Sequence, residues 1–278
     1  MINEIDLHIH TEKSDGSESV EKIIKLAVEN NLSAIALTDH DYFHTDIPIV
    51  EDLIIIPSIE VSTIDYDTKK SVHILGYGFD QYPKKLIKMA SVHLDIIRDI
   101  SERQIYALQK ARYDISLKEA EYKALNSTSI YKQHIMAILI DKGYTNDIYG
   151  ELYRKLFKNG GICEMMYSFA YTEEILVLIS EEKGIPVVAH PAVSGCLDQI
   201  SKYADLGLMG IETYHSSHDD KMINECNLAA ESFGLIETGG SDYHGYYGNE
   251  PMIGCSIEFK DERGVLKYLT RKQAMLLK

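Results

Sequence analysis

The sequence predicts an α/β protein in which a parallel sheet closes into a (β/α) barrel, interrupted once by a helical insert. Three observations carry this expectation. Short apolar runs of strand length alternate with amphipathic helical patterns. Metal-ligating residue types recur where those runs end. Between residues 82 and 169 the alternation stops and the pattern is helical throughout. With 278 residues, 45% of them hydrophobic, the chain can bury a large core. The expected organisation is a barrel formed by residues 1–81 and 170–278, with an insert over 82–169.

The first strand candidate is Asp6-Leu7-His8-Ile9-His10-Thr11, followed closely by Asp15. Alternate residues of a strand share a face, so His8 and His10 form a pincer with imidazoles roughly 7 Å apart along the backbone. Ser17-Glu18-Ser19 then offers a cap to a helix with Val20, Ile23, Ile24, Ala27 and Val28 on one face. Ser33-Ala34-Ile35-Ala36-Leu37 reads as a buried strand ending in Thr38-Asp39-His40-Asp41. A third strand is expected from Leu53 through Pro57 to Glu60-Val61-Ser62, and a fourth over Val72–Tyr77 with His73 inside it. After the insert, Thr172 can cap a helix that Gly184 closes. Strands follow at Ile185–His190, Gly210–His215 and Leu235–Thr238, the last leading into Gly240-Ser241-Asp242-Tyr243-His244. A helix over Met222–Phe233 ends at Gly234. Seven strand candidates separated mostly by helices favour a closed barrel, whose active site sits at the C-terminal strand ends.

In the insert, Leu86, Met89, Ala90, His93, Ile96, Ile97 and Ile100 mark a long amphipathic helix, and Ile135–Ile140 a second. An insert after a barrel strand emerges on the active-site side and is expected to act as a lid. His93 lies on the apolar stripe and reads as a hydrogen-bonded core histidine.

A net charge of −15 opposes binding to long nucleic acid. No apolar run approaches bilayer length and the start of the chain is strand-like, so a soluble cytoplasmic protein is expected. Cys163, Cys196, Cys226 and Cys255 are scattered without C-x-x-C spacing and read as reduced structural thiols.

Taken together, His8-x-His10, Asp15, Thr38-Asp39-His40-Asp41, Glu60, His73, Ala189-His190-Pro191 and Gly240-Ser241-Asp242-x-His244 resemble the successive signatures of the polymerase and histidinol phosphatase (PHP) domain. The resemblance implies a distorted seven-stranded (β/α) barrel with two or three divalent ions at its mouth. By position, it implies one ion on His8, His10, Glu60 and Asp242, and a second sharing Glu60 with His73 and His190. A third would sit on Asp15, His40 and His244. The long insert is similar to that of the subgroup that hydrolyses nucleotide phosphate esters or trims RNA from the 5′ end.

The chemistry of the residues agrees. A phosphate ester is anionic, so hydrolysis needs a strengthened nucleophile and neutralised charge, which paired cations supply; in-line attack by metal-bound hydroxide is expected. Glu60 suits a bridge because its two oxygens can serve two ions. The mixed nitrogen and oxygen set suits Mn, Fe or Zn rather than magnesium.

For the substrate, the subgroup's Arg-Pro-His-Ile segment corresponds to Tyr131-Lys132-Gln133-His134-Ile135. His134 is kept, while Lys132 replaces a bidentate guanidinium with a point charge that still suits phosphate. His218 is a candidate substrate donor or general acid. His44 is expected on the loop surface, Glu212 as support for a histidine ligand, and Asp39 and Asp41 as loop-orienting residues. The chain has 19 tyrosines and no tryptophan, and tyrosines of the insert can stack a base.

The function expected is metal-dependent hydrolysis of a phosphate monoester on a small nucleotide-like substrate, such as AMP or a 3′,5′-bisphosphate nucleotide. Alternatives are a 5′-3′ exonuclease on RNA ends, a histidinol-phosphate-type phosphatase, or a non-catalytic PHP module. An amidohydrolase barrel also begins with H-x-H, but it would want a bridging lysine where this chain has Glu60 and would leave Asp15 without a task.

Overall fold

The computed structural model describes residues 5–79, 82–248 and 252–254. Cys255 and the outer ends of the expected barrel halves lie outside the described residues.

The chain opens with β1 (Ile5–Ile9), α1 (Val20–Glu29), β2 (Ala34–Leu37) and β3 (Ile54–Ile56), and these three strands form a parallel sheet in that order. Next come β4 (Ser58–Ile64) and β5 (Ser71–Tyr77). The helices α2 (Lys84–Lys110), α3 (Leu117–Lys123), α4 (Lys132–Asp141), α5 (Glu151–Phe157) and α6 (Thr172–Glu181) follow without an intervening strand. The remainder is β6 (Ile185–Val188), α7 (Pro191–Ser194), α8 (Ile200–Asp205), β7 (Gly210–His215), α9 (Asp220–Phe233) and β8 (Ile236–Gly240). The second sheet runs β4-β5-β6-β7-β8, with β5 antiparallel to both neighbours and the other pairs parallel. The protein is therefore an α/β fold with one parallel and one mixed sheet.

The single strand expected across 53–62 is two strands. Pro57 has no N–H to continue the ladder, so β3 stops at Ile56 and the chain crosses to the other sheet at Ser58. There the Ser58 hydroxyl bonds the carbonyl of Leu37 at 2.7 Å. The two sheets meet along two seams. At one, His10 N donates to Tyr243 O and Asp242 N to His8 O, each at 2.9 Å; at the other, Asp41 N donates to Glu60 O at 2.8 Å.

Three apolar layers follow from the sequence pattern. Ile5, Leu7, Ala34, Ala36, Ile56, Leu75, Tyr77 and Val187 pack between the sheets. The outer face of the mixed sheet is covered by α6, α8, α9 and the start of α2, and α1 covers the parallel sheet through Ile23 and Ala27. Residues of α2 beyond Ile105, with α3, α4 and α5, bury a separate cluster that includes Leu108, Ile135, Leu139 and Phe157.

Ser19 caps α1, accepting from Lys22 N, and Gly234 closes α9 in the left-handed conformation. Two expected caps differ. Tyr171, not Thr172, is the N-cap of α6, because the Thr172 hydroxyl pairs with that of Thr63 at 2.8 Å. Lys183 takes the positive φ after α6. Gly184 is instead set by close approach, since a Cβ there would stand 2.4 Å from the Phe79 ring. His93 is buried on the apolar stripe of α2, paired with Asp41 at 2.9 Å and accepting from Ala170 N at 3.0 Å. No described helix is long and apolar enough to cross a membrane, and Cys163, Cys196 and Cys226 are buried and free.

Candidate metal centre

At one rim of the sheets the strand ends bring nine of the anticipated side chains together. β1 supplies His8 and His10, the turn after it Asp15, the end of β2 His40, and β4 Glu60. β6 leads into His190, and the turn after β8 carries Asp242 and His244. His73 joins them because β5 runs against its neighbours, so the beginning of that strand, not its end, lies at the rim, with His73 opposite Ser62.

Glu60 is the common partner. Its Oε2 lies 3.4 Å from His8 Nε2, 3.2 Å from His10 Nε2 and 3.0 Å from His40 Nδ1. Its Oε1 lies 3.0 Å from His73 Nδ1 and 3.1 Å from His190 Nε2. Asp242 stands 3.4 Å from His8 Nε2, 3.2 Å from His10 Nε2 and 3.4 Å from His215 Nε2. Asp15 stands 3.4 Å from His10 Nδ1, 3.7 Å from His40 Nε2 and 3.3 Å from His244 Nε2.

These residues fit cations. His8 Nε2, His10 Nε2, His40 Nδ1, His215 Nε2 and Glu60 Oε2 are buried yet make no hydrogen bond despite their short separations, and native structures rarely leave such atoms unsatisfied. Two donors each about 2.1 Å from one ion stand roughly 3.0–3.4 Å apart for octahedral or tetrahedral angles, which is the spacing seen. Among the described residues, the groups able to hold an ion include His10, Asp15, His40 and His244; His8, His10 and Asp242; His8, Glu60 and His190; His40, Glu60 and His73; and His8, Glu212 and His215. Burial raises the Glu60 carboxyl, but the imidazoles of His40, His8 and His73 outweigh it and hold the group well below its ordinary range. Burial presses His40 down to about 4, leaving a neutral ring. Burial also lowers His10, but Asp242, Glu60 and Asp15 hold it up to about 10, so this ring takes either a proton or a cation.

The frame behind the cluster is polar and satisfied. Asp6, fully buried, accepts from His8 N, Ser241 N, the Ser241 hydroxyl and Gly254 N at 2.5–3.2 Å, tying the Asp242 turn to β1. Asp39 accepts from Thr11 N, the Thr11 hydroxyl and Ser14 N at 2.7–3.1 Å and fixes the turn before Asp15. Glu212 accepts from His8 Nδ1 at 2.9 Å and from His190 N at 2.7 Å. The backbone is strained at two cluster residues, with φ of +25° at His190 and +56° at Asp242, conformations that persist only where surrounding bonds impose them.

The anticipated substrate residues separate. Lys132 lines a cavity of about 210 Å³ with Asp15, His40, His73 and a wall of tyrosines, and its ammonium lies 5.1 Å from the Tyr167 ring centre. His134 lines a different cavity of about 290 Å³, beside Lys123 and Tyr247. Its Nδ1 accepts from Tyr131 N, and burial lowers it to about 4. In His218, Nδ1 meets Thr213 O at 2.9 Å and Nε2 accepts from Ala192 N at 3.4 Å, so both ring nitrogens are engaged with backbone. His44 is not surface: it is buried 2.6 Å from Asp39 Oδ2.

Three residues at the site, His215, Gln133 and Tyr149, were not singled out from the sequence. His215 reaches Asp242 because the β7–β8 register shifts between Glu212 and Tyr214, which breaks the alternation used to assign faces. Its position at a strand end, like that of His190, was the available signal. Gln133 bonds Asp15 and Tyr149, contacts that no local pattern announces.

A PHP domain family model matches residues 6–274, and the chain belongs to that family. It is 33% identical to a phosphoribosyl 1,2-cyclic phosphate 1,2-diphosphodiesterase of Eggerthella lenta over 91% of this chain and 98% of the relative. It is 27% identical to a 3′,5′-nucleoside bisphosphate phosphatase of Chromobacterium violaceum over 86% and 87%. In three dimensions it superposes on an amidohydrolase structure from Chromobacterium violaceum with a TM-score of 0.85, at 24% identity, covering 96% of each chain. That last likeness is one of fold.

Proposed function

We propose that this protein is a metal-dependent phosphoric ester hydrolase acting on a small phosphorylated substrate of nucleotide type. The observation that carries the proposal is Glu60, whose two oxygens face five imidazoles. One relative is named for a phosphoribosyl cyclic phosphate and another for a nucleoside bisphosphate, both small phosphate esters. The finer architecture belongs to the same reading: the two sheets act as one distorted barrel, and residues 82–169 form a lid domain over its mouth.

The ligand sets are proposed as His8, His10, Glu60 and Asp242 for one ion, Glu60, His73 and His190 for another, and Asp15, His40 and His244 with His10 nearby for a third. Manganese, iron or zinc suits these donors. When bound, such ions neutralise phosphate charge and bring a water toward deprotonation near neutral pH. The chain's own residues do the rest. Glu212 fixes the His8 ring so that Nε2 faces Glu60 and Asp242. Lys132 supplies a cation on the cavity wall for a phosphate oxygen, and Tyr131, Tyr149, Tyr153, Tyr167 and Phe169 exclude water around the ester.

Hydrolysis by the manganese-loaded protein of AMP and a 3′,5′-bisphosphate nucleotide, read as phosphate release, and of a pentose 1,2-cyclic phosphate, read as ring opening to the monoester, tests the proposal. Turnover of at least one, lost in Glu60→Gln with the circular dichroism spectrum preserved, supports it. No hydrolysis of any of these esters defeats it.

A further inference from the structure

Next to the candidate ion cluster, the polarity of one hydrogen-bonded chain leaves a hydrogen without a protein acceptor. Gln133, in the first turn of α4, places its side-chain nitrogen 2.6 Å from Asp15 Oδ2 and 2.9 Å from the Tyr149 hydroxyl. The two ends of the amide are told apart by chemistry. The Asp15 carboxylate, flanked by His10, His40 and His244, offers lone pairs, so the atom facing it is the amide nitrogen. An amide nitrogen does not accept, so it donates to Tyr149 as well, and the phenol oxygen is the acceptor. The hydroxyl hydrogen of Tyr149 is then left over, with no acceptor among the described residues. Burial and the neighbouring Asp15 keep that hydrogen in place by raising the phenol well above its ordinary range. Asp15, Gln133 and Tyr149 all line the cavity that opens on His40 and His73, with Lys132 on the same wall.

We propose that Tyr149 is a substrate-binding residue that donates its phenolic hydrogen to an oxygen of the phosphate group, and that Gln133 is the positioning residue holding this donor and the Asp15 carboxylate in register. The proposal rests on the phosphoesterase reading for the identity of the anion. It ties the helices after β5 to the rim through two side chains sixteen positions apart.

The test is calorimetric titration of wild type, Tyr149→Phe, Gln133→Met and the double variant, first with Mn²⁺ and then, on the manganese-loaded protein, with inorganic phosphate. Tyr149→Phe keeps the ring and loses only the hydroxyl. It is expected to bind Mn²⁺ within about twofold of wild type and phosphate about tenfold more weakly, the effect of one hydrogen bond to an anion. Gln133→Met keeps the length and removes both donors, and is expected to weaken both titrations. The double variant is expected to bind phosphate no more weakly than Gln133→Met, since the phenol is already released. A purely structural role would lower the melting temperature of the variants and leave both affinities unchanged. Wild-type phosphate affinity in Tyr149→Phe, or wild-type Mn²⁺ affinity in Gln133→Met, overturns the proposal, as does a loaded wild type that binds no phosphate. Hydrolysis is scored separately: a protein that shows the expected affinities but cleaves no phosphate ester refutes the activity reading, not the roles of these two side chains.

Discussion

Glu212 Oε1 accepts the Nδ1–H of His8 across 2.9 Å, with both side chains sealed from solvent. That bond fixes the tautomer, leaving the Nε2 lone pair of His8 aimed at Glu60 and Asp242. An orienting carboxylate behind a metal-binding histidine contributes roughly 10–100-fold to ion affinity. Glu212→Gln keeps the volume but can turn an amide N–H toward His8. It is therefore expected to lower Mn²⁺ affinity by about that factor, read by isothermal titration. Wild-type affinity in this variant would contradict the assignment.

Removing the ions should loosen the fold as well as silence it. A ligand at a hundredfold excess over its Kd stabilises the native state by about 2.7 kcal/mol. Chelation is expected to lower the melting temperature by several degrees, and Mn²⁺ to restore it. In His8→Ala the same chelation should move the transition less. An equal shift in both proteins would place the stabilising ion elsewhere.

Gly240 lies against β1 with no room for a side chain. A Cβ there would meet His8 Cβ at 2.3 Å and His8 N at 2.4 Å, and neither atom can move without displacing the strand that carries the pincer. Gly240→Ala is expected to cost at least the roughly 1–3 kcal/mol of an overpacked core, and urea denaturation measures it. Unchanged stability would mean that the contact between β8 and β1 is looser than described.

Asp65 opens the β4–β5 turn, directly after Ile64. It accepts from Thr68 N at 2.7 Å, Lys202 Nζ at 2.6 Å and Tyr203 OH at 2.8 Å. Burial raises its carboxyl, but these donors prevail and hold it well below the ordinary value. A carboxyl depressed on folding stabilises the protein above its unfolded pKa of about 3.9, and that contribution is lost as the pH falls toward the folded value. Asp65→Asn is thus expected to cost about 1–3 kcal/mol at pH 7, with the gap from wild type narrowing below about pH 4. Melting curves across that range check it, and a gap independent of pH would rule it out.

Much of this was legible in the chain. Apolar runs located β1, β2 and β6–β8, and the residues picked at their ends do converge, because strand ends are where alternation hands over to irregular chain. What was hidden needed the third dimension. The direction of β5 leaves no trace in its sequence, since the same alternation serves either orientation, so His73 looked mid-strand although it stands at the rim. Pro57 was visible, but only the crossing between sheets shows that it divides one apolar stretch in two. His44 looked like a surface residue because its partner is Asp39, a side chain held in the interior by the turn after β1. His215 was masked by a register shift, and Gln133 by partners in the turn after β1 and in the loop before α5.

The seam between β1 and the turn after β8 bears on how the molecule is made. His8 and Asp242, hydrogen-bonded across that seam, are separated by nearly the whole chain, and contacts of such sequence distance form slowly and late. During synthesis the opening strand pairs with β2 but must wait without its partner across this seam until residue 244 has left the ribosome. Completion of the candidate ion centre is then a closing event of biogenesis, and a truncated or stalled chain carries the His8 and His10 pincer without Asp242 and His244.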